Sequence, residues 1–289
     1  MKALDLIQLA RTFIAYDEYE KAEAVLRQQL LASPENVYAR ELLTSILPEK
    51  KGENPQVGKY RPAVIAAPRI IVPDFLPKQD IDDLLGFARA NKERFEAGKV
   101  SGPDELQPQI RNSLRLNLPG LQETISNLLT PKILAELERY SSLLNVPFFQ
   151  VNELEIKFCC YPDGAYFHIH RDDQATYTDS LGEQALCGRQ ISFAYYFHQL
   201  PKLFSGGDLR LYATDRKHSI YSHKRFETIA PQHNSLVLFP SGFFHEVLKT
   251  HVPSGDIMNS RFAINGHLCA AVKSPSVETD WATLGGHQG

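Results

Sequence analysis

Apolar residues recur three and four positions apart over the first part of the chain. Leu6, Ile7, Leu9, Ala10, Phe13 and Ile14 form one broad face at the helical period, and after a polar break at Tyr16-Asp17-Glu18 the series Tyr19, Ala22, Val25, Leu26, Leu30 and Leu31 forms another. Ser33-Pro34-Glu35-Asn36 ends the second helix, because proline has no amide donor and disfavours the helical conformation of the residue before it. A third helix is predicted from Val37 to Ile46. Residues 1–47 therefore read as a small all-α segment, and the charged, Pro- and Gly-bearing stretch 48–62 as a linker.

From residue 63 the pattern is mixed. Ala63 to Ile71 reads as a strand, with Pro68 marking an edge or a break. An amphipathic helix follows over Asp80 to Ala90, then a polar loop at 97–108 and an alternating strand from Arg111 to Leu118. Leu121 to Leu144 is mostly helical, interrupted or kinked at Pro131. Beyond 149 the period changes to two. Strands are predicted at Glu153–Cys160, Gln190–His198, Asp208–Tyr212, Phe226–Ala230, Ser235–Phe239 and Arg261–Leu268. Helices first and strands after predict an α+β domain, and short strands with turn residues between them predict a double-stranded β-helix or jelly-roll core with supporting helices. That domain is expected over 63–275, with its central part at 149–268, leaving 276–289 as a tail. Loops at 97–110, 173–188 and 213–226 are expected to frame its mouth.

Composition narrows the function. Lys and Arg number 31 against 34 Asp and Glu, a net charge of −3, which supports neither a nucleic-acid binder nor a basic membrane-surface protein. No apolar run approaches the roughly 20 residues that span a bilayer, and the early acids Asp5, Asp17 and Glu18 leave no signal-peptide core. The four cysteines include no Cys-x-x-Cys pair, which argues against a disulfide scaffold or a zinc-thiolate site; a cytoplasmic location is expected.

The chemistry concentrates in Tyr161-Pro-Asp-Gly-Ala-Tyr-Phe-His-Ile-His170-Arg-Asp172-Asp173. On an extended strand alternate side chains share a face, which groups His168, His170 and Asp172. Among the distant histidines, His245 stands out: it follows the apolar run Leu236-Val-Leu-Phe and a tight Ser241-Gly242 turn. Two imidazoles and one carboxylate on one side of a metal are the facial triad of non-haem Fe(II) oxygenases. His168 could replace His170 in that set, or contact it from outside.

An ordered series of motifs runs through the same region: Tyr161-x-x-Gly164-x-x-Phe167-x-x-His170-x-Asp172, Tyr196, Gly206-Gly207-Asp208-Leu209, Ile229-x-Pro231, Leu238-Phe239, His245-Glu246-Val247 and Arg261-x-Ala263. It resembles the prolyl 4-hydroxylase-type branch of the Fe(II)/2-oxoglutarate dioxygenases, loosely over 65–270 and specifically over 155–268. The resemblance implies that His170, Asp172 and His245 bind iron, that Arg261 takes the distal carboxylate of 2-oxoglutarate, and that Tyr161 and Tyr196 stand near that co-substrate. It implies O2 as oxidant, ascorbate as auxiliary reductant, release of succinate and CO2, and hydroxylation of a prolyl or other amino-acid residue, free or in a peptide or protein. Asp172 disfavours the halogenating variant, which vacates the carboxylate position. Two features depart from the pattern: Asp208 stands where the family has Glu, and the stretch 251–260 is long, reading as an inserted loop before the strand of Arg261.

Two other readings fit parts of the pattern. A cupin-type metalloenzyme would use His168 and His170 with a nearby Glu, but none occurs before Glu183. A non-catalytic sensory or binding protein on the same barrel is the other. The N-terminal helices, with Ala22 at their crossing and Pro34 after them, resemble one tetratricopeptide repeat. A single such unit cannot bury its own apolar face. The segment is therefore expected to pack on the larger domain or on a second copy, or to receive a protein partner.

Overall fold

The computed structural model describes residues 6–47, 64–98, 110–173, 176–178, 184–186 and 188–271. The expected linker, the tail and most of the loops at 97–110 and 173–188 lie outside them. Helices α1 (Leu6–Ala15), α2 (Tyr19–Ala32) and α3 (Val37–Ile46) begin and end at the predicted breaks, and Asn36 caps α3 by accepting a hydrogen bond from the Ala39 amide at 2.9 Å.

A seven-stranded antiparallel sheet follows, ordered β1 (Ile70–Pro73), β12 (Ser235–Pro240), β8 (Arg189–Phe197), β15 (Arg261–Ala270), β4 (Val151–Tyr161), β3 (Leu114–Leu116) and β2 (Glu96–Ala97). A four-stranded sheet runs β11 (Ile220–Ile229), β10 (Leu209–Asp215), β13 (His245–Val247) and β5 (Phe167–His170). Two small ribbons pair β14 (Thr250–His251) with β9 (Ser205–Gly206) and β6 (Thr176–Thr178) with β7 (Gln184–Leu186). Apart from the β10–β11 hairpin, the eight central strands β4, β5, β8, β10, β11, β12, β13 and β15 alternate between the two main sheets, the winding of a jelly roll.

Strand alternation divides the core into two layers. Ile156, Phe158, Ile191, Phe193, Tyr195, Phe197, Phe262 and Ile264 point outward and pack beneath α4 (Lys78–Ala90), α5 (Leu121–Ala135) and α6 (Leu137–Leu143). Phe197 sits edge-on to Phe158 at 5.4 Å and stacks on Phe262 at 5.6 Å. The inward layer is smaller and more polar. It begins with the cross-strand pairs Arg261–Tyr161, Ala263–Cys159, Asn265–Lys157 and His267–Glu155.

Several expectations shift in detail. The strand predicted from Ala63 starts only at Ile70; before it Ile65 makes one isolated bridge to Thr214, and Pro68 cannot donate to a ladder. Helix α5 runs through Pro131 and stops at Glu136. The stretch 213–226, expected as a loop at the mouth, is the β10–β11 hairpin. Its Ala213 and Ile220 meet Val64 and the apolar face of the N-terminal helices, chiefly Ile14, Leu26 and Leu42. Tyr38 adds a hydrogen bond to the His218 carbonyl at 3.1 Å, and Tyr16 stacks on His223 at 4.4 Å. Among the described residues, no helix is long and apolar enough to cross a membrane.

Candidate metal centre

Strand β5 carries a bulge. It pairs with β13 through His245 opposite His170 and Val247 opposite Phe167, so His168 and Ile169 together face Glu246. The extra residue breaks strict alternation. Phe167, rather than His168, shares a side with His170, and the two rings stack at 3.7 Å and 21°. His168 is exposed, its ring lying 4.6 Å from that of Tyr166. The expectation that His168 faces the metal side is therefore corrected. Its backbone matters instead: the carbonyl accepts a hydrogen bond from His170 Nδ1 at 2.7 Å.

His170, Asp172 and His245 come together with one ligand atom from each within 4.8 Å of the others. His245 Nε2 lies 3.3 Å from one oxygen of Asp172 and His170 Nε2 lies 3.6 Å from the other. His245 Nδ1 donates to the Phe243 carbonyl at 3.0 Å. Both rings thus use Nδ1 on the backbone and turn Nε2 inward, the tautomer a metal requires. Burial pushes His170 down to about 3, helped by the neighbouring His245. Burial alone would raise Asp172, but His267, His245 and His170 outweigh it and hold the carboxyl well below its usual range. For His245 burial is outweighed by Asp172, and its pKa is raised.

A second set of residues holds Asp172. Ser192 donates to its Oδ2 at 2.7 Å and also lies 2.9 Å from Ser241 Oγ and 3.1 Å from His267 Nδ1. The Asp172 amide donates to the Ser241 carbonyl at 3.1 Å, and Arg189 donates to the Asp172 carbonyl at 3.2 Å. Ser192, Ser241 and His267 are all buried. His267 was not singled out in the sequence; alternation along one strand from Arg261 through Ala263 and Asn265 turns it inward, opposite Glu155.

Arg261 opens β15, after the stretch 251–260 has folded into β14, a turn and a short 3-10 helix. It is 1% exposed, with its guanidinium carbon 4.2 Å above the Tyr161 ring and 4.7 Å above the Tyr196 ring. Among the described residues its Nε and Nη1 meet no hydrogen-bond partner, and neither does the buried Thr250 hydroxyl. Burial raises the Tyr196 pKa, opposed in part by Arg261. Gly207, at φ +69°, makes this packing possible: a Cβ there would stand 2.7 Å from Arg261 Cδ.

One cavity of about 280 Å³ joins these groups. Its walls include His170, Asp172, His245, Tyr161, Tyr196 and Arg261, with Leu209, Phe239 and Val247 as apolar surface. The donor set fits Fe(II): two neutral imidazoles and one ionised carboxylate, each oriented by a second bond. The unpaired buried guanidinium fits an anion beside it. Arg111, Lys157 and Arg189 also line this cavity, and sequence reasoning assigned them no role.

Two imidazoles and a carboxylate inside a jelly roll are the donor set of mononuclear non-haem iron proteins. Residues 156–269 match the family model described as the 2OG-Fe(II) oxygenase superfamily. The family implies Fe(II), 2-oxoglutarate and O2. An uncharacterized PKHD-type hydroxylase of Synechocystis sp. is 39% identical over 196 residues, which cover 68% of this chain and 61% of that protein. The chain thus spans less than two thirds of that relative's length. A Trichoplax adhaerens prolyl hydroxylase, solved with a hypoxia inducible factor peptide fragment, shares the fold at TM-score 0.51 and 19% identity, covering 70% of this chain and 83% of its own. A Pseudomonas putida prolyl-4-hydroxylase aligns over 71% of this chain and 94% of its own at 21% identity and TM-score 0.48.

Proposed function

We propose that the protein is an Fe(II)- and 2-oxoglutarate-dependent dioxygenase that hydroxylates an unactivated C–H bond of a prolyl or other amino-acid residue, free or within a peptide or protein. The observation that carries this reading is the pairing of the His170–Asp172–His245 cluster with a buried, unsatisfied Arg261 in one cavity. When bound, iron and 2-oxoglutarate supply the oxidation of the co-substrate by O2 to succinate and CO2, coupled to oxygen insertion into the substrate.

The chain's own residues have separate tasks in this proposal. His170 and His245 offer Nε2, each ring fixed through Nδ1. Asp172 stays ionised and is held by Ser192 and its amide bond to Ser241. Arg261 receives the distal carboxylate of 2-oxoglutarate, with Tyr161 and Tyr196 clamping the guanidinium plane and Thr250 offering a hydroxyl beside it. Leu209, Phe239 and Val247 keep water from the reacting carbon. The covered apolar face of the N-terminal helices supports a structural role for that segment rather than a partner groove. The exposed His168 counts against the cupin alternative.

The test is iron-dependent succinate release by the purified chain with 2-oxoglutarate. Wild type is expected to show it and Asp172→Ala to lose it. Absence of both succinate and metal-linked 2-oxoglutarate binding in wild type defeats the proposal.

A further inference from the structure

The cavity holds more positive charge than the co-substrate needs. Among the described residues, six that line it are Arg or Lys (Arg111, Arg115, Lys157, Arg171, Arg189 and Arg261), against the one carboxylate of Asp172. Several have their own partners. Arg171 pairs with Asp173 at 2.5 Å, and Arg189 holds Glu155 through two bonds of 2.8 and 2.6 Å. Lys157 shares that Glu155 at 3.3 Å.

Arg111 is different. It is 5% exposed, and its Nε donates to the Ser113 hydroxyl at 2.6 Å while Nη2 points at Cys159 Sγ at 3.4 Å. Both are neutral acceptors. Among the described residues no carboxylate lies within 4.0 Å of Arg111, and Nη1 makes no hydrogen bond. The guanidinium carbon sits 4.8 Å from the Phe167 ring centre, and that ring stacks on His170 at 3.7 Å. One aromatic ring thus separates Arg111 from the metal cluster, and its charge helps to depress His170. A buried cation with only neutral partners is costly until an anion joins it.

We propose, building on the oxygenase reading, that Arg111 receives a carboxylate of the substrate to be oxidised, so that the site takes a small carboxylic acid such as a free amino acid rather than a neutral mid-chain residue. Arg261 and Arg111 then form two cationic poles of one cavity, the first for 2-oxoglutarate and the second for its partner substrate. With Nε and Nη2 already engaged, the open edge of Arg111 suits the flat two-oxygen face of a carboxylate better than a tetrahedral dianion, which wants more donors. Held there, the acid places its nearby C–H bonds on the His170 side.

The test uses the full chain loaded with Mn(II) and saturated with 2-oxoglutarate, so that the Arg261 pole is filled and no turnover occurs. Binding is measured by calorimetry for the twenty common L-amino acids, the four- to six-carbon dicarboxylic acids, their amides, and inorganic phosphate. One or more acids are expected to bind while their amides bind at least ten-fold more weakly. Arg111→Gln should weaken the acid by about ten- to a hundred-fold, as loss of a charge-assisted bond requires. Arg111→Lys should recover part of that, and both variants should retain 2-oxoglutarate binding. The comparison of acid with amide in wild type stands even if a variant fails to fold. The proposal is overturned if no acid in the panel binds, if amides or phosphate bind as well as acids, or if Arg111→Gln abolishes 2-oxoglutarate binding instead. Failure of 2-oxoglutarate to bind wild type in the absence of acids would count against the oxygenase reading, a separate result.

Discussion

Replacing Arg261 with Met removes a buried charge while keeping most of the side-chain volume, and its effect should reverse sign with the co-substrate. Without ligand, wild type keeps Nε and Nη1 buried and unpaired among the described residues. Each such group costs about 1–3 kcal/mol. Against that stand two cation–π contacts, with Tyr161 and Tyr196, worth about 1–2 kcal/mol each. The terms nearly cancel, so Arg261→Met should leave the ligand-free protein unchanged or slightly more stable. At a concentration one hundred times its Kd, 2-oxoglutarate adds about 2.7 kcal/mol to wild type. For a domain of this size that raises Tm by about 5–11 °C. Losing a bidentate charge-assisted pair, about 3–6 kcal/mol, weakens binding by at least a hundred-fold and leaves less than about 0.5 kcal/mol of stabilisation at the same concentration. Thermal melts with Mn(II), with and without 2-oxoglutarate, measure both halves. An equal Tm rise in Arg261→Met and wild type would refute the assignment of Arg261 as the anchor.

Other outcomes follow from the same geometry. Asp172→Ala should weaken Mn(II) binding at least ten-fold by calorimetry, because the two imidazoles lose the only anionic donor of the cluster. His267 is 7% exposed and burial pushes it down to about 3. The unfolded chain, titrating near 6.5, then binds the extra proton, so this contribution to stability is full above pH 6.5 and declines as pH falls toward 3. His267→Gln should therefore flatten the acid side of urea stability curves of the metal-free protein, by up to about 1.4 kcal/mol per pH unit. Gly206 has φ +66°, and a Cβ there would stand 2.3 Å from the Lys249 carbonyl oxygen across the β9–β14 pair. Gly206→Ala should lower stability by about 2–4 kcal/mol in chemical denaturation. Leu26→Asp, placing a charge in the fully buried face between the helices and β11, should cost at least about 3 kcal/mol by the same measurement.

The sequence made some of this legible and hid the rest for identifiable reasons. The triad could be read because its chemistry is carried by residue type and order: His170-x-Asp172, then a histidine after a buried strand and a tight turn. The first three helices were equally plain, since Asp17 and Pro34 interrupt a clear period. His168 was misplaced because alternation assumes an unbroken ladder, and a bulge exists only in relation to the partner strand β13. The 213–226 hairpin looked like a loop because its polar, charged turn outweighed Ala213 and Ile220, whose apolar partners lie some 180 residues earlier in the chain. Arg111, on an isolated bridge, and His267, on β15, are single polar residues, and only the closed barrel brings the first beside Phe167 and the second beside Asp172.

The bulge in β5 also leaves two positions beside the site where the backbone counts and the side chain does not. Side chains at 168 and 169 can vary without touching the metal cluster, provided the His168 carbonyl still meets His170. Loss of either residue would restore a regular ladder in which Phe167 and His170, then two apart, still share a face opposite Val247 and His245, but it would remove the bulged carbonyl that holds His170 Nδ1. A substitution scan of this segment would therefore report tolerance at two positions where a one-residue deletion frees the His170 ring from its backbone hold.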